Sequence, residues 1–288
     1  MLNLSQLQTF VAIIETGSFR GAAEKLGCSQ PTISQQLRRL EEELGATLVN
    51  RDRVNSRPTK KGERLLPFAR NLLIAASRVH DVVGGRQLVV GASSNIGIYL
   101  LQPFVARYAR TCASADAIDL RIAGNSEIAD RLSGGELDVA VMEWWDHREG
   151  FLANRWRQER MVVIVAPDHP LARRKTLALE DLFEEPIIGG EAGTGTGTLL
   201  QKLFGKRASK LRVSMNLGST EAVKEAVKAG LGVSLVFASA IQEEVKAGTL
   251  HALAISGTDV RKDLFVVLPD DVPSDAPAKS FAQMLMSG

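Results

Sequence analysis

FRGAAEKLGCSQPTISQQLRRLEEELGATLVNR, residues 19–51, decides the fold of the N-terminal part of the chain. Phe19, Ala22, Ala23 and Leu26 recur at helical spacing and give a short helix one narrow apolar face. Gly27 stops that helix. Ser29 is a side chain able to cap the next one, and Pro31 falls in its first turn, where a missing N–H costs little. Ile33, Leu37, Leu40 and Leu44 then form the buried stripe of a second helix, which Gly45 ends. Two helices joined by the turn Gly27-Cys28-Ser29 make a helix-turn-helix. At about 100° per residue, Pro31, Ser34, Gln35 and Arg38 lie opposite the apolar stripe, on the side that a recognition helix turns toward a DNA groove.

Upstream, Leu4, Leu7, Phe10, Val11 and Ile14 predict another helix, ended by Gly17, with Ser18 as the N-cap of its successor. Downstream, Arg51, Arg53, Arg57, Lys60, Lys61 and Arg64 face only Asp52 and Glu63. A long helix is predicted from about Thr59 to Val83. Leu65, Leu72 and Val79 repeat every seven residues with Ala69, Ala76 and Val83 between them, a coiled-coil dimer pattern. Pro67 within it is expected to kink the helix or delay its start. Gly84-Gly85 marks a linker.

From Gln87 the texture changes to short apolar runs alternating with helical segments. Strands are predicted at Leu88–Val90, Asp119–Ala123, Val139–Met142, Val162–Val165, Ile187-Ile188, Val213–Asn216, Val233–Phe237 and Leu264–Leu268. Helices are predicted near Ser126–Ser133, Leu199–Phe204 and Glu221–Ala229. That alternation predicts an α/β domain with largely parallel sheets.

The bulk composition is that of an ordinary globular chain. Of 288 residues, 45% are apolar and 24% charged. No apolar run approaches the roughly 20 residues of a membrane helix. MLNLSQLQTF lacks a basic n-region and a cleavage site, so a cytoplasmic protein is expected. Net charge is +2, divided as +4 over residues 1–85 and −2 over the rest, an excess too small to identify a nucleic-acid binder by itself. Cys28 and Cys112 are expected to be reduced bystanders, and His80, His147, His169 and His251 have no metal-ligand spacing. No metal, cofactor or catalytic residue is expected.

The run from Phe19 to Arg51, followed by PTKKG, resembles the winged helix-turn-helix of LysR-type transcriptional regulators. The AAEKL helix, the SQPTIS entry, the LEEELG exit and the T-x-x-G start of the next helix carry the likeness. AGNSEIADRLSGGELDVAV, APDHPLARRKTLALEDL, GSTEAVKEAVKAGLGVSLV and DLFVVLP extend it over essentially the whole chain. The resemblance implies a DNA-binding domain over 1–58, a dimerising linker helix and hinge over 59–86, and an effector-binding domain over 87–288. That last domain would hold two α/β subdomains around a cleft, as in periplasmic solute-binding proteins, at about 87–163 with 264–288 and about 164–263. Implied partners are duplex DNA carrying an imperfect palindrome, a small-molecule effector, further copies of the chain in a dimer or tetramer, and RNA polymerase. The departures are Gln35, where the family often has Arg, and Val49-Asn50, where Phe and Glu are commoner. Glutamine suits a bidentate contact with adenine, arginine one with guanine.

Gln30, Ser34 and Gln35 are therefore base-edge candidates, with Ser29, Pro31, Thr32 and Arg38 as phosphate or positioning contacts and Arg51 and Arg53 in the wing. Arg39 and Glu41–Glu43 are expected to face solvent. In the C-terminal domain, GTGTGT (residues 193–198) before a helix suits an anion, but it is neither a Walker loop nor a dinucleotide fingerprint. The resemblance places four such elements around the cleft: Ser93-Ser94-Asn95, Gly124-Asn125-Ser126, Thr194-Gly195-Thr196 and Ser219-Thr220. Small hydroxyl and amide residues at helix starts would serve a small anionic metabolite, although each could equally be a plain helix cap. Trp144-Trp145 are expected to pack at a subdomain contact rather than border the cleft, and Glu143 stays outside the candidate set. A solute-binding protein or an α/β enzyme using the same cleft are the competing readings.

Overall fold

The apolar stripes of the first 44 residues form helices α1 (Leu4–Thr16), α2 (Phe19–Leu26) and α3 (Gln30–Leu44). Each has a side-chain N-cap, from Asn3, Ser18 and Ser29, and each ends on a glycine. Leu7, Phe10, Ile13, Ala22, Ile33, Leu37 and Leu40 are fully buried between them. The computed structural model describes residues 2–51, 56–83, 87–111, 118–190 and 195–288. It divides into two compact units, one built on the chain up to residue 86 and one on residues 87–132 and 137–288.

In the first unit the chain leaves α3 into a two-stranded antiparallel wing, β1 (Val49–Arg51) and β2 (Ser56–Pro58), with Val49 opposite Pro58. Glu41 does not face solvent as expected. Its carboxylate accepts the N–H groups of Leu48 at 2.7 Å and Val49 at 3.3 Å, fastening the base of the wing to α3. Thr59 then caps α4 (Lys60–Val83), accepting from Gly62 N at 3.1 Å while its hydroxyl donates to Thr47 O at 2.8 Å. A Cβ on Gly62 would stand 2.2 Å from the Leu48 carbonyl oxygen. The threonine and glycine of T-x-x-G thus let the helix start against the wing backbone. Gly62→Ala is expected to lower the stability of this unit by about 1–3 kcal/mol, read from its denaturant midpoint by circular dichroism.

The seven-residue seam divides. Leu65, Leu66, Ala69 and Leu73 pack on the helix-turn-helix core, whereas Phe68 and Leu72 are 67% and 47% exposed. A 24-residue helix at 3.6 residues per turn carries two apolar stripes here, which a strict heptad merges into one. Val79 and Val83 have side chains outside the described residues. Pro67 lies within α4 without delaying its start.

The second unit begins with β3 (Leu88–Ser93), α5 (Ser94–Tyr99), α6 (Gln102–Thr111), β4 (Ile118–Ala123), α7 (Asn125–Ser133) and β5 (Val139–Met142). Strand β3 runs parallel to both β4 and β5. The chain crosses to the second subdomain on the 15-residue β6 (Phe151–Val165). There it forms β7 (Thr176–Leu177), β8 (Pro186–Ile188), α8 (Gly195–Phe204), β9 (Arg212–Met215), α9 (Thr220–Lys228), β10 (Ser234–Phe237), α10 (Gln242–Ala247) and β11 (His251–Ile255). It returns on β12 (Arg261–Pro269) and closes with α11 (Pro277–Met286).

The sheets are mixed, not largely parallel. An outgoing and a returning strand lie side by side, so β6 and β12 pair antiparallel over their whole overlap. The end of β6 then pairs antiparallel with β10 and β11, while β8 and β9 are parallel. Only Val162–Val165 of β6 is apolar enough to read as a strand. Before it the residues are mostly exposed and polar. Tyr108 of α6 packs edge-on against Phe281 of α11 at 5.4 Å on one side of the first subdomain's sheet. Ile128, Leu132 and Trp145 join Met142 and Val267 in a separate core.

Candidate functional site

On α3, Gln30, Pro31, Gln35 and Arg38 are exposed and Thr32 and Ser34 half-buried. The Ser29 hydroxyl caps Thr32 N and meets Thr32 Oγ1 at 2.8 Å, so this pair fixes the helix start. Arg38 pairs with Glu42 at 2.8 Å, both largely exposed, an interaction weak enough to exchange for phosphate. Gln36, one residue from Gln35, instead turns inward and bonds to the buried Thr9. Arg51 closes β1 opposite Ser56, with its side chain outside the described residues, as is all of Arg53.

The second site is a cleft of about 440 Å³ in the α/β unit. Ser93, Ser94, Asn95, Asn125, Ser126, Gly195, Thr196, Ser219 and Thr220 all line it. Thr194 lies outside the described residues. These residues follow the C-terminal ends of the parallel strands β3, β4, β8 and β9, where open α/β sheets place ligands. The first turns of α7, α8 and α9 thereby turn the positive ends of their helix dipoles toward one space.

The side chains have unequal duties. Ser219 accepts from Ala222 N at 3.2 Å as a helix cap, and Ser94 donates to Ala123 O at 3.0 Å. Asn125 holds the backbone of the next strand end, accepting from Glu143 N at 2.8 Å and donating to Trp144 O at 3.0 Å. Thr220 donates to Asn95 Oδ1 at 2.6 Å, a bridge from one subdomain to the other. Ser93 Oγ is buried, with the residue 1% exposed, and has no hydrogen-bond partner among the described residues.

Glu143, Trp144 and Lys262 were missed as site residues. Glu143 follows β5 and lines the cleft, paired with Lys262 of β12, and each side chain is 10% exposed. Asn95 Nδ2 donates to the other oxygen of the same carboxylate at 3.0 Å. Trp144 lines the cleft while Trp145 packs edge-on against Phe151 at 5.5 Å, so the tandem tryptophans split between the two expectations. The position of Glu143 after the apolar strand VAVM was the available signal for it. For Lys262 there was none, because its pairing spans 119 residues.

At the rim, Tyr99 of α5 donates to Glu221 of α9, and Lys224 lies between Glu221 at 2.8 Å and Glu244 at 2.7 Å. Burial, reinforced by the Glu221 contact, pushes the Tyr99 hydroxyl up to about 12. Burial opposes the charge on Lys224, but its bonds to the two carboxylates outweigh that and raise its pKa. Burial likewise works to raise Glu221, and the bonds from Lys224 and Tyr99 hold it below the usual carboxylate value. No group of His, Cys, Asp and Glu among the described residues could hold a metal ion.

A helix-turn-helix with a wing, followed in the chain by a cleft-bearing two-subdomain α/β unit, is the composition of a ligand-responsive DNA-binding regulator. Residues 4–63 match the family model for the bacterial regulatory helix-turn-helix protein, lysR family, and residues 83–288 that for the LysR substrate binding domain. The chain belongs to the LysR family of transcriptional regulators, with a DNA-binding helix-turn-helix and an effector-binding domain. It is 47% identical over 196 residues to the protein PtxE of Stutzerimonas stutzeri, covering 68% of this chain and 100% of that one. It is 28% identical over 289 residues to the HTH-type transcriptional activator CmpR of Synechocystis sp., covering 99% and 95%. The structure of the Corynebacterium glutamicum OxyR C206 mutant superposes with a TM-score of 0.63 at 28% identity, over 99% of this chain and 91% of that one. The LysR family regulator CbnR shares the fold at a TM-score of 0.72 and 23% identity, over 99% of both chains. PtxE, CmpR and CbnR are named as transcriptional regulators or activators, and no helix among the described residues is long and apolar enough to cross a membrane.

Proposed function

We propose that this regulator reads DNA through Gln30, Ser34 and Gln35 and is switched by a small anion bound in the cleft, without chemical turnover. The observation that carries the anion reading is the convergence of the α7, α8 and α9 N-termini on a cleft that also holds the Ser93 hydroxyl, which has no partner among the described residues. The helix-turn-helix occupies residues 1–58, the linker 59–86 and the effector domain 87–288. Copies associate in the cytoplasm through the outward stripe of α4, where Phe68 and Leu72 are exposed. The dimer or tetramer so formed sets two recognition helices on an imperfect palindrome. Ligand changes the angle between subdomains, and hence DNA geometry and contact with RNA polymerase, through its different affinity for the two states.

Calorimetric titration with small carboxylates and inorganic oxyanions tests the reading. Anions are expected to bind once per chain and to change the footprint on operator DNA, while uncharged analogues do neither. Equal binding of charged and uncharged analogues would overturn the anion assignment, and conversion of the ligand during the titration would favour an enzyme.

A further inference from the structure

The floor of the cleft carries a carboxylate where a receptor for any anion needs only donors. Glu143 is held from several sides. Asn125 fixes its backbone, Asn95 donates to Oε1 at 3.0 Å and Lys262 donates to Oε2. Gly195, at the start of α8, closes over the pair, since a Cβ there would stand 2.2 Å from Lys262 Nζ and 2.8 Å from Glu143 Oε2. An ionised carboxylate has about four acceptor positions and no donor. Those two bonds leave part of that capacity open on a residue that lines the cleft.

Lys262 cancels the charge of Glu143 without removing its acceptor character. Around it the cleft offers donors: the Ser93 hydroxyl, without a partner among the described residues, the Ser126 and Thr196 hydroxyls, and the N-termini of α7, α8 and α9. A ligand seated there meets donors on most sides and an acceptor on one. Resting on the anion reading above, we propose that the cleft selects a small oxyanion or carboxylate that also bears an O–H or N–H donor, which it presents to the Glu143 carboxylate. An anion with no such donor sets a lone pair against Glu143 and is turned away, because both groups are desolvated and neither can supply the proton.

The test is a fluorescence titration of the full chain, with Trp144 at the cleft wall as reporter. The probes are pairs of similar shape: hydrogen phosphate against sulfate, and malate against succinate. The donor-bearing member of at least one pair is expected to bind on the order of a hundredfold more tightly. Glu143→Gln, whose amide can donate, is expected to shrink that ratio to within about fivefold by admitting the donorless member. Glu143→Gln combined with Lys262→Met removes both buried charges and gives the same readout if the single variant folds poorly. Binding of both members within about threefold in the wild-type chain overturns the proposal and leaves the anion reading standing. Failure of every anion to bind overturns both.

Discussion

Gln35→Ala lowers affinity for the selected operator by about tenfold to a hundredfold and leaves affinity for unrelated duplex nearly unchanged. Gln35 is exposed on the side of α3 away from its buried stripe, so the substitution removes a bidentate base contact worth roughly 1–3 kcal/mol and no packing. Competition binding at two salt concentrations checks it. A phosphate contact would weaken both duplexes alike at either salt concentration, since an uncharged amide releases no counterion, and that would move Gln35 out of the base-reading set. The neighbouring Gln36→Ala is the internal control. Its partner is the buried Thr9, so it is expected to lower stability and spare sequence preference.

Lys262→Met destabilises the effector unit by about 3–5 kcal/mol, because it strands the buried Glu143 carboxylate without its cation. The double variant with Glu143→Gln recovers most of that loss, since a neutral pair needs no counter-charge. Trp144, Trp145 and Trp156 all lie beyond residue 87, so unfolding followed by tryptophan fluorescence reports on this unit alone. Equal midpoints for the single and double variants would overturn the stranded carboxylate as the cause of the loss.

What could be read from the sequence was local. The stripes Ile33/Leu37/Leu40 and Leu7/Phe10, with the caps Ser18 and Ser29 and the stops Gly17, Gly27 and Gly45, sufficed for the helix-turn-helix, because helix periodicity and capping act over one or two turns. The four polar elements around the cleft came from the likeness to the family, since local pattern alone reads each of them equally well as a plain helix cap. Contacts that close over long separations were not. Glu143 meets Lys262 across 119 residues and Thr220 meets Asn95 across 125. The polar middle of β6 breaks alternation, because successive residues at 154–155 and at 157–158 are exposed, so neither face of the strand there is consistently covered. Glu41 looked like one more charge in the solvated run LEEEL until the wing backbone folded over it.

The paired strands β6 and β12 have a mechanical consequence. They run side by side from one subdomain into the other as a single hydrogen-bonded ribbon, and sliding one strand along its neighbour would break every rung from Arg261 to Pro269. Bending the ribbon breaks none, and the register shift at Leu264/Phe265 already interrupts its regularity. The two halves of the receptor are thereby denied translation and left a swing about one line, like a door hung on two pins. Whatever message the cleft sends must then be written as an angle.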